Sequence, residues 1–114
     1  MKNTKKKGIY RFFIYYDKND KEFVGVCIEL GIIKVGKDPE EVQEDLNNAA
    51  LGYIKAVVKD NLPDKLLNQE PPKKYLDIYK QIIEASAKRK IPRKIDLNES
   101  FAFARTAGDL CPAT

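Results

Sequence analysis

Any chemistry in this chain has to be built from carboxylates, lysines and arginines, because the sequence contains no histidine. That removes the commonest general base and the commonest metal ligand together. Serine–histidine and cysteine–histidine nucleophiles lose their base. The two cysteines, Cys27 and Cys111, supply no ligand set for structural zinc. Gly25, Gly31 and Gly36 lack the Lys-Ser/Thr ending of a phosphate-binding loop. What remains is magnesium held by carboxylates for phosphodiester cleavage. The candidates are Asp17, Asp20, Glu22 and Glu29. The first three lie in or beside a polar hairpin loop and Glu29 lies near a strand end, so no spacing converges on a cation. The residues read as those of a non-enzymatic protein with no metal and no cofactor.

Two charged clusters are candidates for binding. Asp38, Glu40, Glu41, Glu44 and Asp45 fall on the exposed face of a helix's first half, and no basic residue occurs from Asp38 to Ile54. On charge alone this is a solvated face that complements the helix dipole. Its functional reading is an acidic patch for a basic partner. Lys88, Arg89, Lys90, Arg93 and Lys94 place five cations in seven residues. Such a cluster can neutralise phosphates and bind nucleic acid salt-sensitively, or simply solubilise a helix end. No aromatic is interleaved with it, and no helix-turn-helix or ribbon-helix-helix unit follows it.

These residues are positioned by elements that the chain specifies locally. The helix start is the clearest. Asp38 is a good N-cap, Pro39 suits the first helical position, and Glu41 can reach back to the cap amide. From Pro39 to Lys59, Val42, Leu46, Ala49, Ala50, Tyr53, Ile54 and Val57 recur at three- and four-residue steps. Gly52 interrupts this helix at a cost of about 1 kcal/mol relative to Ala, for which close packing against a strand is the expected reason.

Before the helix come three predicted strands. In the first, Tyr10, Phe12, Ile14 and Tyr16 line one face and Ile9, Phe13 and Tyr15 the other. A strand apolar on both faces is central in its sheet or contacts another subunit. A polar loop at Asp17–Lys21 leads to a second strand, Glu22–Leu30, with Val24, Val26, Ile28 and Leu30 on one buried face. Gly25 there suggests close approach by a neighbour or a bulge. Gly31 reverses the chain into Ile32–Val35, and such short loops dictate an antiparallel meander. The expected fold is therefore α+β: a small antiparallel meander of three strands packed by a long helix.

The flanks are less regular. Lys2–Lys7 reads as a frayed basic arm rather than a phosphate-binding one. The expected division is a strand–helix domain over residues 1–62, a proline-containing linker over 63–72, and a C-terminal helix with an extended tail over 73–114. The second helix is expected from Lys73 to Lys90, stopped by Pro92, with a short turn at Asp64–Asn68 before it. Beyond it, Ile95–Leu97 or Ser100–Ala104 can form a short edge strand, and the rest reads as an arm. At 114 residues and net charge +4, the chain suits one modest domain. It shows neither a bilayer-spanning apolar run nor a cleavable leader. With two separated cysteines, a reducing cytoplasm and no membrane are expected. Exposed sheet edges make homo-oligomerisation an expectation, through a sheet edge or the first strand.

From Tyr10 to Val58 the chain resembles the HicB-like antitoxin family. The resemblance rests on the aromatic first strand Tyr10–Tyr16, the polar hairpin, and the second strand Phe23–Gly31. It continues through Gly36-Lys37-Asp38-Pro39-Glu40-Glu41-Val42 and the later helix segment Asn47–Ile54. The resemblance implies a partial RNase-H-like fold, usually with a fourth strand, and without the nuclease's metal-binding carboxylates. It implies an antitoxin that neutralises a small HicA-type mRNA-cleaving toxin, for which the acidic helix face would be a docking surface. Many members of the family also carry a C-terminal DNA-binding domain. This chain departs from the pattern in having Glu29-Leu30-Gly31-Ile32 where a Pro-Gly turn is usual.

Overall fold

The computed structural model describes residues 2–88 and 101–106, with only the backbone of 85–88, Phe101 and Thr106. Its strands are β1 (Ile9–Asp17), β2 (Glu22–Cys27), β3 (Ile32–Gly36) and β4 (Phe101–Thr106). Its helices are α1 (Pro39–Lys59) and α2 (Lys73–Lys88), with a 3-10 turn at Asp64–Leu67 between them. The strands form one antiparallel sheet in the order β3-β2-β1-β4. The fold is α+β, as the meander and the long helix imply. No helix among the described residues is long and apolar enough to cross a membrane.

β1 is an inner strand, which accounts for its apolar residues on both faces. Tyr10, Phe12 and Ile14 point to the side covered by α1, where Leu46, Ala50, Ile54 and Val57 meet them. Phe13 and Tyr15 point to the side covered by α2, where Ile82 is buried and Tyr79 lies 5.6 Å from the Phe13 ring. The second face of β1, a candidate subunit contact in the sequence, is therefore covered within the chain.

Covering both faces also corrects the reading of β2 as buried on one side. Phe23 and Cys27 face α1 while Val24 and Val26 face α2, and all four are buried. The strand is shorter than expected. Gly31, at φ 64°, closes a turn in which its amide donates to Ile28 O at 3.3 Å. Such a left-handed backbone is cheap for glycine. The turn swings Leu30 out of the strand's alternation and into the α1-side core with Leu46.

Two further expectations change, and one of the alternatives for the C-terminal segment is realised. The Lys2–Lys7 arm is tied down at Asn3, which is buried. Its side-chain amide donates to Leu67 O at 3.0 Å, its side-chain oxygen accepts from Ile9 N at 2.8 Å, and Asn68 returns two bonds to its backbone. The proline-containing segment packs as well: Leu67 is fully buried beside Tyr10 and Leu46, and Gln69 N donates to Glu29 O at 2.7 Å. Finally, part of the expected C-terminal arm is β4, antiparallel to β1 from Ile9↔Thr106 to Ile14↔Phe101. It overlaps the Ser100–Ala104 alternative; Ile95–Leu97 lies outside the described residues.

Candidate functional site

The acidic face sits where α1 begins. Asp38 is extended at φ −116°, ψ 120°, and its carboxylate accepts from Glu40 N at 3.0 Å. Pro39 occupies the first turn and Val42 N donates to Asp38 O at 3.0 Å. No bond from Glu41 back to the Asp38 amide completes a capping box among the described residues. What fixes the start in three dimensions is Val42, wedged between two strands. A methyl group built on Gly25 would lie 2.8 Å from it, and one built on Gly36 3.1 Å. The close approach expected at Gly25 is thus present. The one expected at Gly52 is not: that residue is exposed, with nothing within 4 Å of a built methyl.

Once α1 is seated, the helical period of about 3.6 residues turns its charged residues outward. Asp38, Glu40, Glu41, Glu44 and Asp45 are all exposed. The two ion pairs among the described residues are Lys5–Asp64 at 3.0 Å and Arg11–Glu29 at 2.6 Å. None of the five carboxylates on α1 or its cap belongs to either. The structure therefore gathers all five onto one solvent-facing end of one helix, at its positive pole.

The four carboxylates considered for magnesium are not gathered. Asp17 and Glu22 face each other across the β1–β2 hairpin. The Asp17 carboxylate is used locally, accepting from Asn19 N at 2.9 Å and Asp20 N at 3.3 Å. Glu29 lies at the far end of β2, where it pairs with Arg11 through the guanidinium and the backbone amide. Among the described residues no three histidine, cysteine or acidic side chains are grouped to hold a metal ion. Cys27 is buried in the core, and burial pushes its thiol up to about 12. A thiol so protonated is a poor nucleophile.

Of the basic cluster, Lys88 is the last residue of α2. Arg89, Lys90, Arg93 and Lys94 lie outside the described residues. The sequence also gave no hint of a set of stacked cations on the strands. The Arg11 guanidinium lies 5.5 Å from the Tyr79 ring, and that of Arg105 lies 5.1 Å from Phe103. The first pair joins β1 to α2, distant in the chain, so only the fold reveals it; the second lies within β4, two residues apart.

No protein-family model, curated protein or solved structure matches the chain.

Proposed function

We propose that this protein is a non-catalytic binding module of the antitoxin type, which captures and neutralises a small basic HicA-type mRNA-cleaving toxin. The observation that carries the reading is the concentration of five exposed carboxylates at the start of α1, none in an ion pair among the described residues. An isolated acidic cluster of this kind attracts a cationic protein over distances of about a Debye length, ~10 Å at 0.1 M salt. Its effect falls mainly on the rate of encounter. The resemblance of Tyr10–Val58 to HicB-like antitoxins supplies the class of partner. The α+β core of meander and helix accords with that resemblance. The absence of histidine from the sequence and the inert environment of Cys27 accord with a binding role.

The test is co-purification with the basic product of the adjacent small gene. The wild-type chain retains it at low salt. The variant Glu40→Gln/Glu41→Gln/Glu44→Gln/Asp45→Asn retains much less while keeping its circular dichroism spectrum. Equal retention by both proteins rejects the acidic face as the docking surface. If the adjacent gene encodes no basic protein, the toxin-neutralising role is rejected.

A further inference from the structure

The end of the molecule away from the start of α1 gathers cations that lie far apart in the sequence. The Lys2–Lys7 arm is placed there by the bonds between Asn3 and the Leu67-Asn68 segment. It closes into a turn in which Thr4 N donates to Lys7 O at 2.7 Å and Lys7 N donates to Thr4 Oγ1 at 3.2 Å. From that turn Lys5 reaches the segment after α1, where its ammonium donates to Leu62 O at 2.7 Å and to the Asp64 carboxylate at 3.0 Å. Lys2, Lys6 and Lys7 thereby share one end of the molecule with Lys59, the last residue of α1, and Lys65 of the 3-10 turn. β4 adds Arg105, which stands opposite Tyr10 on the α1 side of the sheet.

We propose that this end binds the phosphate backbone of a nucleic-acid duplex without reading its sequence. Lys2, Lys6, Lys7, Lys59 and Lys65 are exposed and Arg105 is half-buried. None of the six is in an ion pair among the described residues. The carboxylates beside them are Asp64, which Lys5 neutralises, and Asp60, the cap of α1. Glu29 is held by Arg11, and Glu70 lies towards β3, next to Gln69 at the Gly31 turn. The C-terminal pole of α1 opposes the cluster with only a partial charge. The surface is therefore strongly positive, and phosphates that it neutralises release their condensed counterions.

Disorder of the arm was what spoke against phosphate binding in the sequence, and Asn3 removes it. With the backbone already fixed, the lysines lose less freedom on binding than those of a frayed tail would. A duplex fits this surface better than the other polyanions of comparable size. Membrane-surface binding adds inserted apolar side chains to basic charge. Ile9 and Val58, exposed by 48% and 47%, stand on opposite sides of the sheet, Ile9 on the α2 side and Val58 on α1, and form no common patch. Single strands are held by stacking on open aromatic rings. Here Tyr10 is buried, and Phe103 is engaged by Phe12 and Arg105.

The length of α1 separates this surface from the acidic one. Its 21 residues span about 30 Å at 1.5 Å per residue, roughly three Debye lengths at 0.1 M salt. Asp17, Asp20 and Glu22 of the β1–β2 hairpin lie at the acidic end as well, because Lys37 Nζ, beside the helix cap, donates to Lys21 O at 2.9 Å. The charge is thus polarised along α1, and a duplex approaches by the basic end. Occupying that end leaves Glu40, Glu41, Glu44 and Asp45 open, so phosphate binding does not depend on toxin capture.

The test is fluorescence anisotropy of a labelled DNA duplex of mixed sequence, titrated with the full chain over a series of salt concentrations and with no toxin present. The wild type is expected to bind at low salt with a dissociation constant on the order of micromolar, and the logarithm of its affinity should fall against that of salt with a slope of about −4 to −5. A duplex of unrelated sequence should bind equally. Lys2→Gln/Lys6→Gln/Lys7→Gln should weaken binding at least about tenfold at low salt and flatten the slope by about 3. Arg105→Gln should flatten it by about 1, which a free basic tail acting alone would not show. Both variants should keep the wild-type circular dichroism spectrum. No binding at low salt overturns the proposal, as does a slope that either variant leaves unchanged. Loss of binding in Arg89→Gln/Arg93→Gln but not in the arm variant would assign the phosphates to the tail instead. Tighter binding to vesicles of anionic phospholipid than to the duplex would assign the surface to a membrane.

Discussion

Replacing Gly25 by alanine tests how α1 is seated on the sheet. The new methyl would lie 2.8 Å from Val42 Cγ1, 3.2 Å from Leu46 Cδ2 and 3.5 Å from Ile14 Cγ1. Val42 and Leu46 are buried. Val42 has little room to give way, because its other methyl already faces Gly36. Relief therefore requires α1 to lift from β2 or Val42 to leave its rotamer, and overpacking of this kind costs about 1–3 kcal/mol. Alanine returns about 0.5–1 kcal/mol by narrowing the unfolded ensemble. The net loss expected is about 1–2 kcal/mol. With a urea m-value of about 1–3 kcal/mol/M, the midpoint should fall by roughly 0.5–1 M without a change in slope. Gly52→Ala is the matched control. Nothing within 4 Å meets its methyl, so it should raise stability by about 1 kcal/mol. A Gly25→Ala chain as stable as wild type would refute the seating of α1 described above.

Asp38→Ala removes the carboxylate that accepts from Glu40 N and should cost on the order of 1 kcal/mol in the thermal midpoint. Asn3→Ala leaves Leu67 O and Ile9 N without their partners. It should cost about 1–3 kcal/mol and expose the first residues to limited proteolysis. Burial raises Cys27 from 9.0 to about 12, and Tyr10 and Tyr15 from 10.0 to about 12. The unfolded chain loses these protons first, so their contribution is intact below pH 9 and is lost as pH rises towards 12. Urea midpoints measured from pH 8 to 11 should fall, and Cys27→Ala should blunt the first part of that fall. In a Cys111→Ser background, Cys27 should stay unlabelled by a thiol reagent at pH 8 until urea unfolds the chain.

The parts of this fold visible in the sequence are those written in local rules. Asp38-Pro39 marks the start of α1 because capping and proline chemistry act within a few residues. The two apolar faces of β1 showed an inner strand because alternation is itself local. What stayed hidden depends on distant contacts. Asn3 looks like any polar residue of a basic arm until Leu67 and Asn68 fold onto it. Leu67 sits in a proline-containing stretch whose composition signals a linker, yet it fills the core under Tyr10. β4 has the period-two signal Phe101-Ala102-Phe103-Ala104, but alanines dilute it, and Phe103 gains meaning only when stacked 5.0 Å from Phe12. Gly52 shows the reverse error, since a helical glycine invites a packing explanation that the fold does not supply. The acidic face was legible as a pattern of residues. That its carboxylates have no ion-pair partners among the described residues could be learned only from the structure.

The central claim is that the carboxylates at the start of α1 capture a basic toxin. Its most direct test is the association rate with a HicA-type toxin by stopped flow, across a series of salt concentrations. Association is expected to be fast and to slow steeply as salt rises. Neutralising Glu40, Glu41, Glu44 and Asp45 together should slow it by on the order of tenfold at low salt and flatten the salt dependence. An association rate unchanged by that substitution, or a rate indifferent to salt, would reject capture of the toxin by the start of α1.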